Sequence, residues 1–271
     1  MKTIKISFFL SILAISLFSC DPQTVNPKEE EPDMEAAKAI IAAETNFDNV
    51  VQLVDFTLAT LGPKKTSTFC ADITADTAAK EIIIDFGAGC TNNGVSRAGK
   101  IIINYIGRYR QPGAVFSVTF DAYQENGEQL DGTLSIASFD RNAANQLFFT
   151  VSIINGKVTK ANGDVEGFDG SRTMTWVAGE NTPLDPTDDE HEFTGYAAGY
   201  NAQGQAYNIE IKSPLLYKVS CLIAGKNLPA SGSMEISSTE FNGLLEVDFG
   251  TGACDKEGTL IYNGNSFPFS I

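Results

Sequence analysis

The stretch "IIIDFGAGC", residues 82–90, sets a choice between a catalytic site and a structural repeat. D-F-G is the magnesium-holding triplet of protein kinases. The same letters return in "LEVDFGTGAC", residues 245–254. A kinase also needs a glycine-rich phosphate loop, a strand lysine and a catalytic H-R-D segment; the chain carries none of them. In both copies D-F-G closes an apolar strand pattern. Ile82, Ile84 and Phe86 fall on one face and Asp85 on the other; Val247 and Phe249 oppose Asp248. Glycines follow, then a cysteine. The pair therefore reads as a repeated strand-turn unit. A carboxylate site at Asp85 or Asp248 is the competing expectation.

Outward from these units the two-residue period continues. Phe116, Val118 and Phe120 alternate with polar residues, as do Leu147, Phe149, Val151 and Ile153. Tyr207, Ile209 and Ile211 repeat the pattern, and so do Leu245, Val247 and Phe249. Asn-Gly and Asp-Gly pairs at 126, 131, 155, 162, 169, 242 and 263 punctuate the runs as hairpin turns. Connections this short demand antiparallel neighbours. The expected fold is mainly β: an antiparallel meander of about 12–14 strands over residues 63–271. It would form a curved sheet, half-barrel or sandwich, as one body or two packed lobes. Residues 34–62 instead repeat Ala37, Ile40, Ile41, Phe47, Val51, Val54 and Leu58 at helical spacing. Asp33 can cap this helix and Gly62-Pro63 can end it. Thr45 and Asn46 are a candidate break. The apolar face, with Val51, Val54 and Leu58, is expected to pack on the sheet.

The N-terminus addresses the compartment. Lys2 and Lys5 precede an apolar run, Ile6 to Phe18, of signal-peptide length and too short to span a bilayer. It ends at Leu17-Phe18-Ser19-Cys20, which resembles a bacterial lipobox, with Phe18 bulkier than is usual. Residues 1–19 read as a signal peptide and Cys20 as the lipidation site. Acyl chains on Cys20 would be the attachment to the membrane. Residues 20–33, with three prolines and an acid run at Glu29-Glu30-Glu31, form a tether unable to bury a core.

Loss of Lys2 and Lys5 with the leader takes the formal net charge from −15 to −17. Such a chain repels phosphate backbones, so nucleic acid is excluded as a natural partner. Four further cysteines, Cys70, Cys90, Cys221 and Cys254, are an even number in an exported chain and point to disulfides. Three pairings exist. Cys70–Cys90 with Cys221–Cys254 is expected, because each D-F-G unit would then bridge internally. Cys70–Cys221 with Cys90–Cys254 is the rival, and Cys70–Cys254 with Cys90–Cys221 the third. Cys221 is expected on a strand face with Tyr217, Val219 and Ile223. No C-x-x-C occurs and His191 is the single histidine, which disfavours zinc, haem attachment and histidine-based triads. A histidine in so acidic a loop is expected to be solvated.

Five stretches together resemble a family of uncharacterised exported lipoproteins of the Bacteroidetes: "NFDNVVQLVD" (46–55), "DFGAGCTNNGVSRAGKIIINYIGRYRQPG" (85–113), "SRTMTWVAGENTP" (171–183), "EFTGYAAGYNAQGQAYNIEI" (192–211) and "VDFGTGACDKEGTLIYNG" (247–264). The resemblance spans most of the chain beyond the leader. It implies an exported, lipid-anchored, β-rich protein of the outer membrane, at the cell surface or on the periplasmic face. It implies no activity and transfers no functional residue. In that phylum an acid run behind the lipidated cysteine accompanies surface export. Asp76-Thr77-Ala78 matches its short O-glycosylation pattern.

Three further groups are candidate sites. Asp185, Asp188, Asp189 and Glu190 offer oxygens for Ca²⁺, without EF-hand spacing, against a plain solvated loop. Arg108, Tyr109 and Arg110 offer planar donors for an acidic glycan, against simple neutralisation of nearby carboxylates. Trp176 with Tyr105, Tyr109, Tyr196 and Tyr200 offers stacking surfaces, against packing. No cofactor other than calcium is expected. The functional expectation is a non-enzymatic binding or structural module of the envelope, with glycan or another envelope protein as partner. The alternatives are a carrier holding an apolar ligand on a concave sheet and a carboxylate-based hydrolase.

Overall fold

The computed structural model describes residues 31–61, 68–182, 185–239, 241 and 243–271. The leader, Cys20, the acidic tether up to Glu30, and Gly62-Pro63 lie outside the described residues. Helix α1, Met34–Thr60, leads into an antiparallel sheet of 14 strands. The first seven are β1 (Asp72–Asp76), β2 (Glu81–Asp85), β3 (Cys90–Asn92), β4 (Val95–Ile106), β5 (Val115–Glu125), β6 (Glu128–Arg141) and β7 (Leu147–Thr159). Then come β8 (Val165–Ala178), β9 (Glu190–Tyr200), β10 (Ala206–Lys218), β11 (Ser231–Ser238), β12 (Leu244–Thr251), β13 (Glu257–Tyr262) and β14 (Asn265–Ser270). A short helix α2, Val219–Ile223, sits between β10 and β11. Each strand pairs with its neighbours in chain order, except that β3 pairs only with β4. The sheet is open, with β1 and β14 as its edges.

The expected inward faces are inward. Phe116, Val118, Phe149, Val151, Ile153, Ile209, Leu245, Val247 and Phe249 are buried, while Phe120 and Ile211 pack against the core from its margin. What they enclose is α1. Twelve consecutive residues, Phe47 to Leu58, are buried, so three turns of the helix have no solvent face. Phe47 stacks on Phe168 of β8 at 5.1 Å and meets Phe120 of β5 edge-on at 6.5 Å. Phe56 packs edge-on against Phe69 at 5.2 Å. The helix is therefore not laid on one side of the sheet, as a single apolar stripe implies; the sheet curls around it. Register shifts in β4–β6 and β10–β11 supply the bend. At one of them Gly99 has φ +74°, and a Cβ there would lie 2.1 Å from the Ala122 carbonyl oxygen, so glycine is required.

Asp33 caps α1, accepting from the backbone N–H groups of Glu35 and Ala36 at 3.1 and 3.0 Å. Thr45 does not break the helix. Its hydroxyl donates to the Ile41 carbonyl at 2.9 Å, which satisfies it within the helix.

The first D-F-G unit runs from the end of β2 into a turn, and the second forms the closing part of β12. Asp85 accepts from Gly87 N–H and Asp248 from Gly250 N–H, each at 2.8 Å, while Phe86 and Phe249 enter the core. Disulfides join Cys70 to Cys90 and Cys221 to Cys254. Cys221 is not on a strand, however. β10 ends at Lys218 and the chain turns into α2, where Cys221 is buried.

Replacing Phe47 with alanine removes the ring that meets both β5 and β8. Urea unfolding is expected to show a loss of about 3–5 kcal/mol. A loss below about 1 kcal/mol would mean that the helix is not held inside the sheet.

Candidate functional site

Inside the curled sheet α1 carries a stripe of carboxylates. Glu44, Asp48 and Asp55 stand at i, i+4 and i+11, within one narrow face over roughly 16 Å of helix. All three are buried. Burying a carboxylate unpaired costs several kcal/mol, so partners must come from the sheet.

At the first position Arg172 of β8 pairs with Glu44, and its Nε lies 3.7 Å from Asp48. Arg172 also donates to the Tyr196 carbonyl. Tyr217 of β10 donates its hydroxyl to Asp48 at 3.0 Å. Two carboxylates thus share one guanidinium. Burial, then the neighbouring Glu44 charge, push Asp48 up to about 7 against the pull of Arg172 and Tyr217. Burial raises Glu44 as well.

At the second position Arg110, from the turn between β4 and β5, reaches Asp55 at 3.1 and 3.3 Å. The same Nη2 lies 3.7 Å from Asp189. Its guanidinium covers the Trp176 ring at 3.8 Å. His191 of β9 brings Nε2 within 3.7 Å of Asp55. One ligating atom from each of Asp55, Asp189 and His191 falls within 4.8 Å of the other two. Neither Asp189 oxygen is in a well-formed hydrogen bond, although the Trp176 indole N–H acts on its carboxylate, and His191 Nδ1 has no partner. Burial pushes Asp189 up to about 7, opposed by Arg110 and assisted by Asp55. Burial pushes His191 down to about 4, against the attraction of Asp55.

A third charged group lies lower in the sheet. Arg97 of β4 pairs with Glu125 of β5 at 2.8 Å, and Tyr123 and Asn227 donate to the same carboxylate at 2.9 and 2.8 Å.

The residues named as calcium candidates do not converge. Asp185 accepts from Thr187 N–H at 3.2 Å, Asp188 from the Thr182 hydroxyl at 2.8 Å, and Glu190 stands 3.6 Å from Lys218. Asp189 alone turns inward, because Asp188 ends a single 3-10 turn and the extended chain beyond it reverses the facing. Of the glycan candidates, Arg108 is exposed, whereas Arg110 neutralises carboxylates. Tyr109 sits edge-on to Phe116 and Phe139 at 5.4 and 5.7 Å. Trp176 is covered by Arg110 rather than presented to solvent. Tyr105 stacks on Phe116 at 5.9 Å, while Tyr196 and Tyr200 of β9 are exposed at 63% and 41%. Thr77 is exposed on the turn between β1 and β2. His191 is buried, not solvated, because it shares the inward face of β9 with Phe193 and Ala197.

Comparison of the chain with protein-family models, with curated proteins and with solved structures finds no match.

Asp48 generates a pH dependence. Its folded pKa of about 7 exceeds the ordinary 3.8, so the folded state holds a proton that the unfolded state has lost. Its contribution to stability is complete below the unfolded value. It falls by about 1.4 kcal/mol per pH unit as pH rises towards 7, and is flat above. Glu44, Arg172 and Tyr217 are the charged and titratable groups that face it. Asp48→Asn is expected to remove about one proton from the difference between pH 4 and 7 in denaturation curves. An unchanged pH slope would refute the assignment.

Proposed function

We propose that the protein is a lipid-anchored component of the cell envelope, acting as a binding or structural module and not as an enzyme. The observation that carries this reading is the enclosure of α1 from Phe47 to Leu58. The concave face, where a carrier would hold an apolar ligand, is filled by the chain's own helix along Phe47 to Leu58, and the cleft of about 580 Å³ that remains between Lys38 and β12–β14 is lined largely by polar residues such as Asp248, Asp255 and Glu257. The void beside Leu53, Phe56 and Ile84 measures about 10 Å³, room for no more than a water molecule. The two disulfides fit an oxidising compartment, in keeping with a leader that ends at Cys20. Resemblance to exported Bacteroidetes lipoproteins supports the same address, at the outer membrane.

With the interior occupied, a partner meets the outer face. Tyr196 and Tyr200 lie four residues apart on one side of β9, about 13 Å along the strand. Ile154 of β7 is exposed as well, at 51%. Aromatic rings presented in this way suit stacking on a glycan, and a glycan-binding accessory is the specific form of the proposal.

Metabolic labelling with a fatty-acid analogue is expected to tag the wild-type chain and leave Cys20→Ala unlabelled and released from membranes. A Cys20→Ala chain that stays labelled would overturn the anchor. For the glycan form, envelope polysaccharide should retard the wild type in affinity electrophoresis, and Tyr196→Ala with Tyr200→Ala should abolish the retardation. Equal retardation of both would remove the outer tyrosines from the proposal.

A further inference from the structure

We propose that Asp55, Asp189 and His191 form a binding site for a divalent cation of the zinc class, with Arg110 holding the place of the cation's charge. The inference rests on the geometry of this cluster and is independent of the lipid anchor and of any outer-face partner.

Two distant parts of the chain converge here: α1 supplies Asp55, and the entry to β9 supplies both Asp189 and His191, two residues apart. Their ligating atoms lie within 4.8 Å of one another. Carboxylate oxygens and imidazole nitrogens sit about 2.0–2.2 Å from zinc, so two ligands of one ion are at most about 4 Å apart. In the tetrahedral geometry of such sites the ligand atoms are about 3.4 Å apart, so these three need to close by up to about 1.4 Å, within the reach of side-chain torsions.

The second observation is what these groups lack. His191 Nδ1 is buried without a hydrogen-bond partner, and neither Asp189 oxygen is in a well-formed hydrogen bond, the Trp176 indole N–H being the one donor that acts on that carboxylate besides Arg110. Buried polar atoms are nearly always satisfied, and an exception calls for a missing partner. Other buried atoms of the protein also lack a well-formed hydrogen bond, among them Arg110 Nε and Trp176 Nε1 beside this cluster, but the His191 imidazole is the one group here that faces two carboxylates with a ring nitrogen left unpaired. Arg110 faces both aspartates, yet it makes hydrogen bonds with Asp55 alone and stays 3.7 Å from Asp189. Two carboxylates with one guanidinium leave a buried negative charge that a cation would compensate.

The donor set selects the ion. Ca²⁺ takes six to eight hard oxygens, and three protein groups including an imidazole do not provide them. Imidazole with carboxylates suits zinc and its neighbours in the first transition row. Three protein ligands leave a fourth position for water, the arrangement of an open site. Entry is short, because Asp189 adjoins the surface turn Pro186–Asp188 and Arg110 remains 18% exposed. Arg110 can withdraw while its guanidinium keeps contact with Trp176, since its two ion pairs are the only polar ties that hold it inward among the described residues.

His191 is the only histidine, which makes it a direct reporter. The full mature chain, purified without a histidine tag and stripped with chelator, is titrated with zinc chloride. Calorimetry reads stoichiometry, and ¹⁵N NMR reads the imidazole. One zinc per chain is expected, with a shift of one ring nitrogen that is complete at one equivalent. Asp189→Asn should weaken binding at least tenfold, and Asp188→Asn, its exposed neighbour, should not. Arg110→Met should strengthen binding by about tenfold, because it removes a like charge from the site. Should Asp189→Asn fail to fold, the wild-type imidazole shift and the gain in Arg110→Met decide alone. An imidazole unmoved by zinc, or zinc affinity unchanged in Arg110→Met, overturns the site.

Discussion

The structure depends on pairing a buried row of helix carboxylates with cations and hydroxyls set into the sheet. A helix with three turns fully enclosed has no solvent to which Glu44, Asp48 or Asp55 can turn. Each must meet its partner at one depth and one angle, or the helix carries an uncompensated charge inside. Arg172 and Tyr217 fix one level, and Arg110 with His191 fixes a second about ten residues further along. A helix packed by apolar contacts alone tolerates rotation or a slip of one turn, about 5.4 Å. With charges at two levels such a slip breaks both sets together. The pairs are therefore better understood as fixing the position of α1 than as adding net stability, since desolvation offsets much of their attraction.

A sheet that curls this far without joining its edges needs ties across the opening. The segment around α2 provides them. Asn93, on the turn between β3 and β4, donates to the Ile223 carbonyl at 2.6 Å. Asn227 donates to Glu125 at the end of β5. These contacts join the connection between β10 and β11 to β4 and β5, which lie six and five places from β10 in the sheet. The Cys221–Cys254 bridge then fastens the same segment to the turn between β12 and β13, and Cys70–Cys90 fastens the lead into β1 to β3. Each D-F-G unit ends beside one of these bridges. The repeated motif thus marks the two places where the wrap is clipped, one near each edge.

Much of this was legible and some was not. Alternation of apolar and polar residues showed the strands, and Asn-Gly and Asp-Gly pairs showed the hairpins. Cysteine placement around the repeat showed the bridges. The enclosure of α1 is not legible in its apolar periodicity, which marks one face alone. Glu44, Asp48 and Asp55 form an equally regular stripe, and a helix apolar over most of its girth with one acidic stripe has two faces to bury. The partners also had a signal. Arg172 is in phase with Phe168, Met174 and Trp176, so period two places it inward. His191 is in phase with Phe193 and Ala197, and Arg97 with Val95. A charged residue in the apolar phase of a strand forecasts a buried partner, whereas acidity of the surrounding loop forecasts nothing. Which carboxylate meets which cation depends on the winding of the sheet, and no spacing along the chain encodes that.

The open edges restrict where another molecule can attach. An unpaired edge strand invites a further strand. Here β1 is five residues long, begins and ends with Asp72 and Asp76, and is almost wholly exposed. Charges at both ends of so short a strand oppose extension by a second copy of an acidic chain. On the other edge β14 contains Pro268, which has no N–H to offer and interrupts any continuous ladder. Edge addition is thus opposed by a missing backbone donor on one side and by charge on the other. The concave face is taken by α1. The broad surface that remains is the outside of the central strands, where β7 to β10 are long, regular and firmly held by Arg172 and Tyr217 from within. Rigidity imposed by the buried charges lies directly beneath Tyr196, whose carbonyl accepts from Arg172 while its ring faces solvent. The interior network and the outer aromatic surface are in this way two sides of the same strands.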